Sequence, residues 1–279
     1  MRIPPAHQGR CGAERWKLRA MHFFRRPKPV PEVIVPTDAD AERLRTFLKF
    51  ASEVAKDNPN AVGRLIEALP DCRSQFMQDA FAILTSGMKD DGFFVEFGAC
   101  DGLEISNSLV LEQRFGWRGI LAEPGRNWHE SLATNRTAKI DQRCVWGRSG
   151  DRLTFNETSF PDRSQVSKFY VPAAGEITAT YEVETVSLAD LLTDHDAPAH
   201  IDFLSMDVEG AESDVLSAFP FDRYTFGFIC VEQHGEAQAH AVRSIMKAAG
   251  YDQIHERISA YDGWYVPEQR DNRGQNVNL

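Results

Sequence analysis

Alternation between short apolar strands and amphipathic helices, from residue 93 to residue 266, most restricts the fold of this 279-residue chain. Each buried run ends in glycine or polar residues and is followed by a segment with helical periodicity. The predicted strands are residues 93–97, 119–122, 140–146, 201–206 and 226–231, with a final pair within 251–266. Such repeated βα units predict an α/β domain whose mostly parallel, seven-stranded sheet carries helices on both faces.

The rest of the chain divides by composition. Residues 1–37 are basic and proline-rich, which favours a disordered tail, although an organellar transit peptide has a similar composition. Residues 38–89 have helical periodicity and are expected to form a helical leader that packs on the main domain, residues 90–270. Within that domain, residues 150–185 break the βα rhythm and contain several aromatic residues, so we expect an ordered flap beside the site. Residues 271–279 form a short tail.

Composition excludes several classes of function. The formal net charge is -10, and no basic run occurs within the main domain, so a nucleic-acid partner is not expected. No apolar stretch is long enough to span a membrane. The five cysteines are scattered and include no CxxC pair, which argues against a zinc site and a disulfide framework. A reducing, cytoplasmic location fits this pattern best.

A glycine turn follows the first predicted strand. Gly98 and Gly102 let the backbone turn sharply and approach a ligand, but the turn lacks the GxGxxG spacing of a dinucleotide site. Glu96 and Asp101 place two carboxylates there, and these would repel a pyrophosphate. They suit S-adenosylmethionine, which carries a sulfonium and an ammonium group and no phosphate. Local turn chemistry is the alternative role for both acids.

Two residues farther along extend this predicted cofactor site. Glu123 ends the second strand a little over twenty residues beyond the turn, where an acid can accept hydrogen bonds from both ribose hydroxyls. Trp146 follows the third strand and is predicted to cover the adenine face, with packing in the core as the equal alternative.

A second polar cluster follows two later strands. The strand at 201–206 leads into Asp207 and Glu209, and the strand at 226–231 leads into Glu232 and His234. Asp207 and His234 are candidates for the base that removes a proton from an acceptor hydroxyl. Alternatively, Asp207, Glu232 and His234 could hold Mg²⁺ or Mn²⁺. Glu212, one turn into the next helix, is interpreted as a favourable charge at a helix N-terminus.

Five segments together resemble the FkbM-type methyltransferases: residues 96–102 (EFGACDG), 106–108 (SNS), 116–119 (GWRG), 123–124 (EP) and 207–212 (DVEGAE). The resemblance extends from about Gln75 to about Pro267, and DVEGAE directly after a buried strand is its most specific part. One departure is Cys100, which stands where the pattern common to such folds has its middle glycine.

This resemblance implies a class I methyltransferase with a Rossmann-like fold and S-adenosylmethionine as methyl donor. It implies a hydroxyl of a sugar, glycan or polyketide-like molecule as acceptor, and it adds Ala99, Asn107, Pro124 and Asp207 to the expected cofactor site. Two other functions remain on the sequence alone. One is an NAD(P)-dependent oxidoreductase, which the acidic turn disfavours, and the other is a non-catalytic nucleoside-binding module.

Overall fold

The computed structural model describes residues 38–57 and 60–268. Both predicted tails lie outside the described residues, and the described chain begins with helix at Asp38. The helices are α1 (Asp38–Asp57), α2 (Ala61–Ala68), α3 (Gln78–Thr85), α4 (Leu109–Phe115), α5 (His129–Asn135), α6 (Leu188–Asp194), α7 (Glu212–Ser217) and α8 (Glu236–Ala248). The strands are β1 (Phe93–Phe97), β2 (Arg118–Ala122), β3 (Lys139–Asp141), β4 (Cys144–Trp146), β5 (Arg152–Thr158), β6 (Gln165–Val166), β7 (Ile177–Ser187), β8 (His200–Met206), β9 (Thr225–Glu232), β10 (Tyr251–Ile254) and β11 (Asp262–Pro267).

Seven of these strands form one sheet in the order β10-β11-β9-β8-β1-β2-β3. Strand β1 pairs in parallel with β2 and β8, and β8 pairs in parallel with β9. Only β11 runs against its neighbours in this sheet, pairing antiparallel with both β9 and β10. The predicted mostly parallel, seven-stranded α/β fold is therefore confirmed. Because the carboxyl ends of β1, β2, β8 and β9 share one edge, the polar groups that follow them are brought together there.

Alternate residues of the central strands face two separate apolar layers. Phe94, Phe203 and Phe228 lie in the layer that also contains the leader helices. Val95 and Leu204 lie in the opposite layer with α6, α7 and α8. Because both faces of these strands are covered, each reads in the sequence as a nearly continuous apolar run.

The leader helices share the first of these layers with the sheet. Phe81 of α3 is completely buried, and its ring centroid lies 4.8 Å from that of Trp264 in β11. The ring of Phe47 in α1 packs on Phe81 at 5.8 Å. Arg43 of α1 donates a hydrogen bond to the carbonyl oxygen of Ile258 at 3.0 Å. The leader thus completes the core on one face of the sheet.

The single strand predicted over residues 140–146 was wrong, because two strands occupy this stretch. Strand β3 ends at Asp141, whose carboxylate accepts hydrogen bonds from the backbone and side chain of Arg143. This local turn interrupts the pairing, and β4 then joins a different sheet. The polar residues Asp141, Gln142 and Arg143 stand at this break.

The segment that breaks the βα rhythm forms a four-stranded sheet with β4, in the order β4-β7-β5-β6. We call residues 152–187, which contain β5, β6 and β7, the arm. The arm has a small apolar cluster of its own, made of Cys144, Phe155, Val166 and Val183. Helix α6, which the sequence pattern did not predict, follows directly and is capped by the Ser187 hydroxyl, which accepts the Asp190 N–H at 3.1 Å.

Candidate active site

A cavity of about 440 Å³, here called the main cavity, opens at the carboxyl edge of the large sheet. Residues at the ends of β1, β2, β8 and β9 form its floor, and the arm forms one wall. A side cavity of about 60 Å³ adjoins it. Both cavities are lined by Gly98, Asp207, Glu232 and Tyr261. This edge is where open α/β sheets bind their ligands, which makes the main cavity the candidate active site.

Gly98 lines this floor, and the backbone of the protein, not a ligand, requires glycine at this position. Its φ of +67° is in the left-handed region, and a Cβ atom there would collide with the backbone oxygen of Asp207. The sharp turn between β1 and the next loop therefore depends on close contact with the end of β8. Ala99 follows it, is buried, and lines the side cavity only.

Asp101 and Gly102 are not brought to either cavity. The Asp101 carboxylate accepts the backbone N–H groups of Leu103 and Glu104 at 2.8 and 3.0 Å, which is ordinary turn chemistry. A Cβ atom on Gly102 would lie 2.6 Å from the Arg136 side chain, so this glycine is required by packing. The structure thus supports the alternative role for Asp101 and places both residues away from the predicted cofactor site.

Glu96 is buried beneath the turn and holds the following loop in place. Its carboxylate accepts hydrogen bonds from the Asn107 backbone at 2.8 Å and from the hydroxyls of Ser106 and Ser108. The guanidinium of Arg136 lies 3.8 Å away and compensates the buried charge. Glu96 lines the side cavity and not the main one, so its role is to hold the loop that follows the turn.

Glu123 follows the end of β2 and faces the main cavity from a position that is 5% exposed. Its Oε2 accepts the Cys100 N–H at 2.9 Å and its Oε1 accepts the Gly125 N–H at 2.7 Å. Burial raises the pKa of Glu123 to about 7, although these two backbone hydrogen bonds oppose the shift. Each carboxylate oxygen can accept a second hydrogen bond, so Glu123 retains acceptor capacity for a ligand. Pro124 lines the cavity beside it.

Trp146 is absent from the lining of both cavities. Its ring packs against that of Phe169 at a centroid distance of 5.9 Å, and the Lys168 ammonium lies 5.4 Å from its ring centroid. The residues of β4 that do line the main cavity are Cys144 and Val145. The structure therefore places Trp146 in the packing role that was its alternative.

The second polar cluster assembles as the strand order requires. Asp207, Glu209, Glu232 and His234 all line the main cavity, at the ends of β8 and β9. The His234 Nε2 lies 2.8 Å from the Glu232 carboxylate and 3.5 Å from that of Glu209. Asp207 faces the cavity from between the two strand ends.

The charged groups in this cluster shift one another's pKa values. The Glu232 carboxylate raises the pKa of His234 to about 9, so the imidazole is protonated at neutral pH. Although burial favours its neutral form, the adjacent His234 imidazole and the neighbouring Asp207 lower the pKa of Glu232. Desolvation among the surrounding protein atoms and the neighbouring Glu232 raise the pKa of Asp207 well above its usual range, although the residue itself is exposed to the cavity. Burial likewise raises the pKa of Glu209 to about 7.

The predicted metal ligands are divided between two sets. Within the described residues, Glu209, Glu232 and His234 form one set of three ligand atoms lying within 4.8 Å of one another, and Asp207, Glu212 and Glu232 form another. Glu232 belongs to both sets. Glu212 is completely buried and already accepts the N–H groups of Val208 and Gly210 at 3.1 and 3.2 Å, together with the Gln238 side chain. It stabilises the turn before α7.

Several lining residues were not identified from the sequence. The arm contributes Asp162 and Arg163, the leader contributes Gln75, and the β10–β11 connection contributes Tyr261. All four lie far from the glycine turn in sequence, and no motif marks them. Only the packing of the arm and the leader against the sheet brings them to the cavity.

Cys72, Cys100, Cys144 and Cys230 are all free. Among the described residues, no helix is both long and apolar enough to cross a membrane.

The strand order, with a single reversed strand beside β9 and a cavity at the carboxyl ends of β1 and β2, is that of a class I methyltransferase fold. A family model described as the methyltransferase FkbM domain matches residues 96–252, more than half of the chain. The protein therefore belongs to the FkbM methyltransferase family, and the resemblance seen in the sequence is confirmed.

No curated protein sequence matches the chain significantly. Among solved structures, the chain is similar to precorrin-6y C5,15-methyltransferase from Geobacter metallireducens GS-15, with a TM-score of 0.39 and 10% sequence identity. That alignment covers 67% of this chain and 84% of the other.

Proposed function

We propose that this protein is an S-adenosylmethionine-dependent O-methyltransferase whose acceptor is a hydroxyl of a sugar, a glycan or a polyketide-like small molecule. One observation carries the proposal. A single cavity contains a carboxylate suited to a ribose, Glu123, and the candidate bases at the ends of β8 and β9. A donor bound over β2 would therefore share its space with an acceptor and a base.

The residues of this cavity fit the cofactor. The volume of about 440 Å³ lies within the usual range for small-molecule sites. Glu123 has acceptor capacity for ribose hydroxyls, and the surrounding carboxylates attract the sulfonium and ammonium groups that the cofactor carries. When bound, the cofactor supplies an electrophilic methyl group. The same carboxylates repel phosphates, which is why we propose a small-molecule or glycan acceptor and not a nucleic acid.

Asp207 is the residue we assign as general base. Its carboxylate lies in the cavity beside Glu232, and its raised pKa makes it a stronger base than an ordinary aspartate once it is ionised. His234 is less suited, because its pKa of about 9 leaves it protonated at neutral pH. In this mechanism Asp207 would take the proton of the acceptor hydroxyl, and the bound cofactor would supply the methyl group that the acceptor oxygen gains. His234 holds Glu232 ionised beside Asp207.

Metal assistance is the second mechanism, and the ligand set that favours it is Glu209, Glu232 and His234. Carboxylate oxygens and a neutral imidazole can hold Mg²⁺ or Mn²⁺, which would lower the pKa of a bound hydroxyl. The protonated state of His234 opposes this, because an imidazolium cannot bind a metal and must first lose its proton.

The proposal is tested by incubating the purified protein with S-adenosylmethionine and a panel of glycans and natural products. We expect release of S-adenosylhomocysteine and a gain of about 14 daltons, one CH₂ unit, in an oxygen-bearing acceptor. Calorimetric titration of S-adenosylmethionine and of NAD(H) provides the accompanying binding test. Binding of the first without turnover on any acceptor would favour the nucleoside-binding module, and binding of NAD(H) alone would contradict the proposal.

A further inference from the structure

The side cavity contains a buried acceptor that nothing in the described chain satisfies. Asn107 donates its Nδ2 to the Ser205 hydroxyl at 2.8 Å, but its Oδ1 is buried and has no hydrogen-bond partner among the described residues. Buried polar atoms are nearly always paired in native proteins. An unpaired oxygen on a cavity wall therefore indicates that a donor belongs there.

Asp262, the first residue of β11, contributes a second acceptor to the same cavity. Its Oδ2 accepts hydrogen bonds from Gln78 Nε2 at 2.9 Å and from Trp264 Nε1 at 3.3 Å. Its Oδ1 accepts no hydrogen bond from any residue that the structure describes. The carboxylate is thus held by one oxygen and leaves the other for a ligand.

The charged side chains that line the side cavity are all acidic, although Arg136 lies against Glu96 and His234 against Glu232 from outside it. Its lining includes Glu96, Asp207, Glu232 and Asp262, and the described residues that line it include no lysine and no arginine. A ligand that brings positive charge and several donors would compensate both the charge and the unpaired oxygens. An ammonium group has three donors and no acceptor, which matches this lining.

We propose that the side cavity binds the α-ammonium group of the cofactor's amino-acid part, with Asn107 Oδ1 and Asp262 as acceptors and Gln78 of the leader as a positioning residue. This inference rests on the proposed function, because it requires S-adenosylmethionine as ligand. The side cavity adjoins the main cavity through Gly98, so one extended molecule can reach both. Gln75, which lines both cavities, is available to donate to the cofactor's carboxylate. The leader would then form part of the cofactor site.

Three ligands distinguish an ammonium site from a purely structural role of Asp262 and from a role at the sulfonium. S-adenosylmethionine has both the ammonium and the sulfonium, S-adenosylhomocysteine keeps the ammonium but lacks the sulfonium charge, and 5′-methylthioadenosine lacks the whole amino-acid part. Their affinities are measured by calorimetry for the wild type and for Asp262→Asn, a variant of the same shape. Glu256→Gln, which removes an equal charge from an exposed residue of the same β10–β11 connection, is the matched control.

For Asp262→Asn we expect the affinities for S-adenosylmethionine and S-adenosylhomocysteine to fall roughly tenfold, the effect of losing a charge-assisted hydrogen bond. The affinity for 5′-methylthioadenosine should stay within about twofold, which also shows that the variant is folded. Asn107→Ala should produce the same pattern, and Gln78→Met a weaker version of it, because Gln78 acts through Asp262. Glu256→Gln should change none of the three affinities.

The assignment would be overturned in either of two ways. Equal losses for all three ligands would mean that Asp262 only maintains the structure of the cavity. A loss confined to S-adenosylmethionine would mean that Asp262 acts on the sulfonium and not on the ammonium. Failure of the wild type to bind any of the three ligands would instead contradict the proposed function, so the two failures are distinguishable.

Discussion

Glu123 illustrates how one residue can serve both the fold and the site. Its two oxygens accept backbone N–H groups from Cys100 and Gly125, which fixes the turns after β1 and β2. Cys100 itself has a φ of +48°, an uncommon conformation for a residue with a side chain. The carboxylate that tethers this strained turn also faces the main cavity. Its removal should therefore be felt in both binding and stability.

Replacing Glu123 with alanine should weaken S-adenosylmethionine binding by at least about 1–3 kcal/mol, the range for leaving a buried hydrogen-bonding partner unpaired. Calorimetric titration measures the change, with circular dichroism to show that the variant is folded. Glu182→Ala, which removes an exposed glutamate on β7, is the control and should bind normally. Unchanged affinity in a folded Glu123→Ala protein would remove this residue from the cofactor site.

The same carboxylate should leave a signature in the pH dependence of stability. Its pKa is about 7 in the folded protein against an ordinary glutamate value of 4.5, so the unfolded chain releases this proton first as the pH rises. Glu123 therefore lowers the free energy of unfolding progressively between about pH 4.5 and 7, by up to about 3 kcal/mol in total. Glu123→Gln cannot titrate and should lose less stability over this interval than the wild type. Parallel stability curves from denaturant unfolding at several pH values would contradict the raised pKa.

Asp207 is the residue on which the mechanism depends. Under base catalysis, Asp207→Asn should lower kcat by roughly 10²–10⁴-fold while S-adenosylmethionine still binds. Activity of the wild type should survive exhaustive treatment with EDTA. Activity that vanishes with EDTA and returns with Mg²⁺ or Mn²⁺ would show that Glu209, Glu232 and His234 act as metal ligands instead.

At the scale of elements, the arm adds a wall to the main cavity, which would otherwise be bounded by the ends of the sheet strands. Residues 161–166, Val171, Ala173 and Ala174 of the arm contribute to the lining of the main cavity. The ring of Phe169 packs against Gly210, where an added Cβ would lie 3.0 Å from it, so the arm contacts the turn that follows Asp207. Outside its strands, the backbone N–H groups of residues 163, 164, 170, 174 and 175 each donate to a carbonyl oxygen three residues back. Such local bonding is typical of a segment that opens easily.

We predict that shortening residues 160–175 leaves cofactor affinity intact but abolishes turnover with the native acceptor, because this segment would cover the acceptor. Hydrogen exchange should show weak protection of the segment in the free protein and strong protection with both substrates bound. Strong protection in the ligand-free protein would contradict a lid. A deletion that lowers thermal stability and cofactor affinity together would indicate that the arm only completes the core.

At the scale of the whole molecule, the leader and the sheet share one apolar layer. Phe81 of α3 contacts Phe47 of α1 and Trp264 of β11, and all three are almost completely buried. The hydrogen bonds from Arg43 to Ile258 and from Gln78 to Asp262 cross the same boundary. Residues 38–89 should therefore unfold together with the methyltransferase domain and not before it.

Phe81→Ala should lower the free energy of unfolding by roughly 3–5 kcal/mol, the usual cost of deleting a buried phenylalanine ring. We expect the wild type to unfold in one transition when followed both by tryptophan fluorescence and by circular dichroism. Ile66→Ala is the control, because Ile66 is 61% exposed on α2 and should change stability by less than about 0.5 kcal/mol. An early separate transition, or a small effect of Phe81→Ala, would mean that the leader is an independent unit.

Much of this fold could be predicted because its signals are local. Each central strand is covered on both faces, so it reads as an apolar run, and the polar residues after β1, β2, β8 and β9 mark the edge where a site must lie. Glu123, Asp207 and His234 were placed at the main cavity by this reasoning, and the structure brings all three there.

Local sequence was sufficient to establish the βα order, the family and the strand ends from which the site is built, because periodicity and motifs are properties of neighbouring residues. Packing between segments that are distant in sequence decided where the side chains point. The Asp101 carboxylate accepts a hydrogen bond from its own loop, and Trp146 packs on Phe169. The apparent strand at 140–146 is two strands that belong to different sheets. Gln75 and Asp262 meet at one cavity for the same reason, because their proximity depends on how the leader and β11 pack against the sheet.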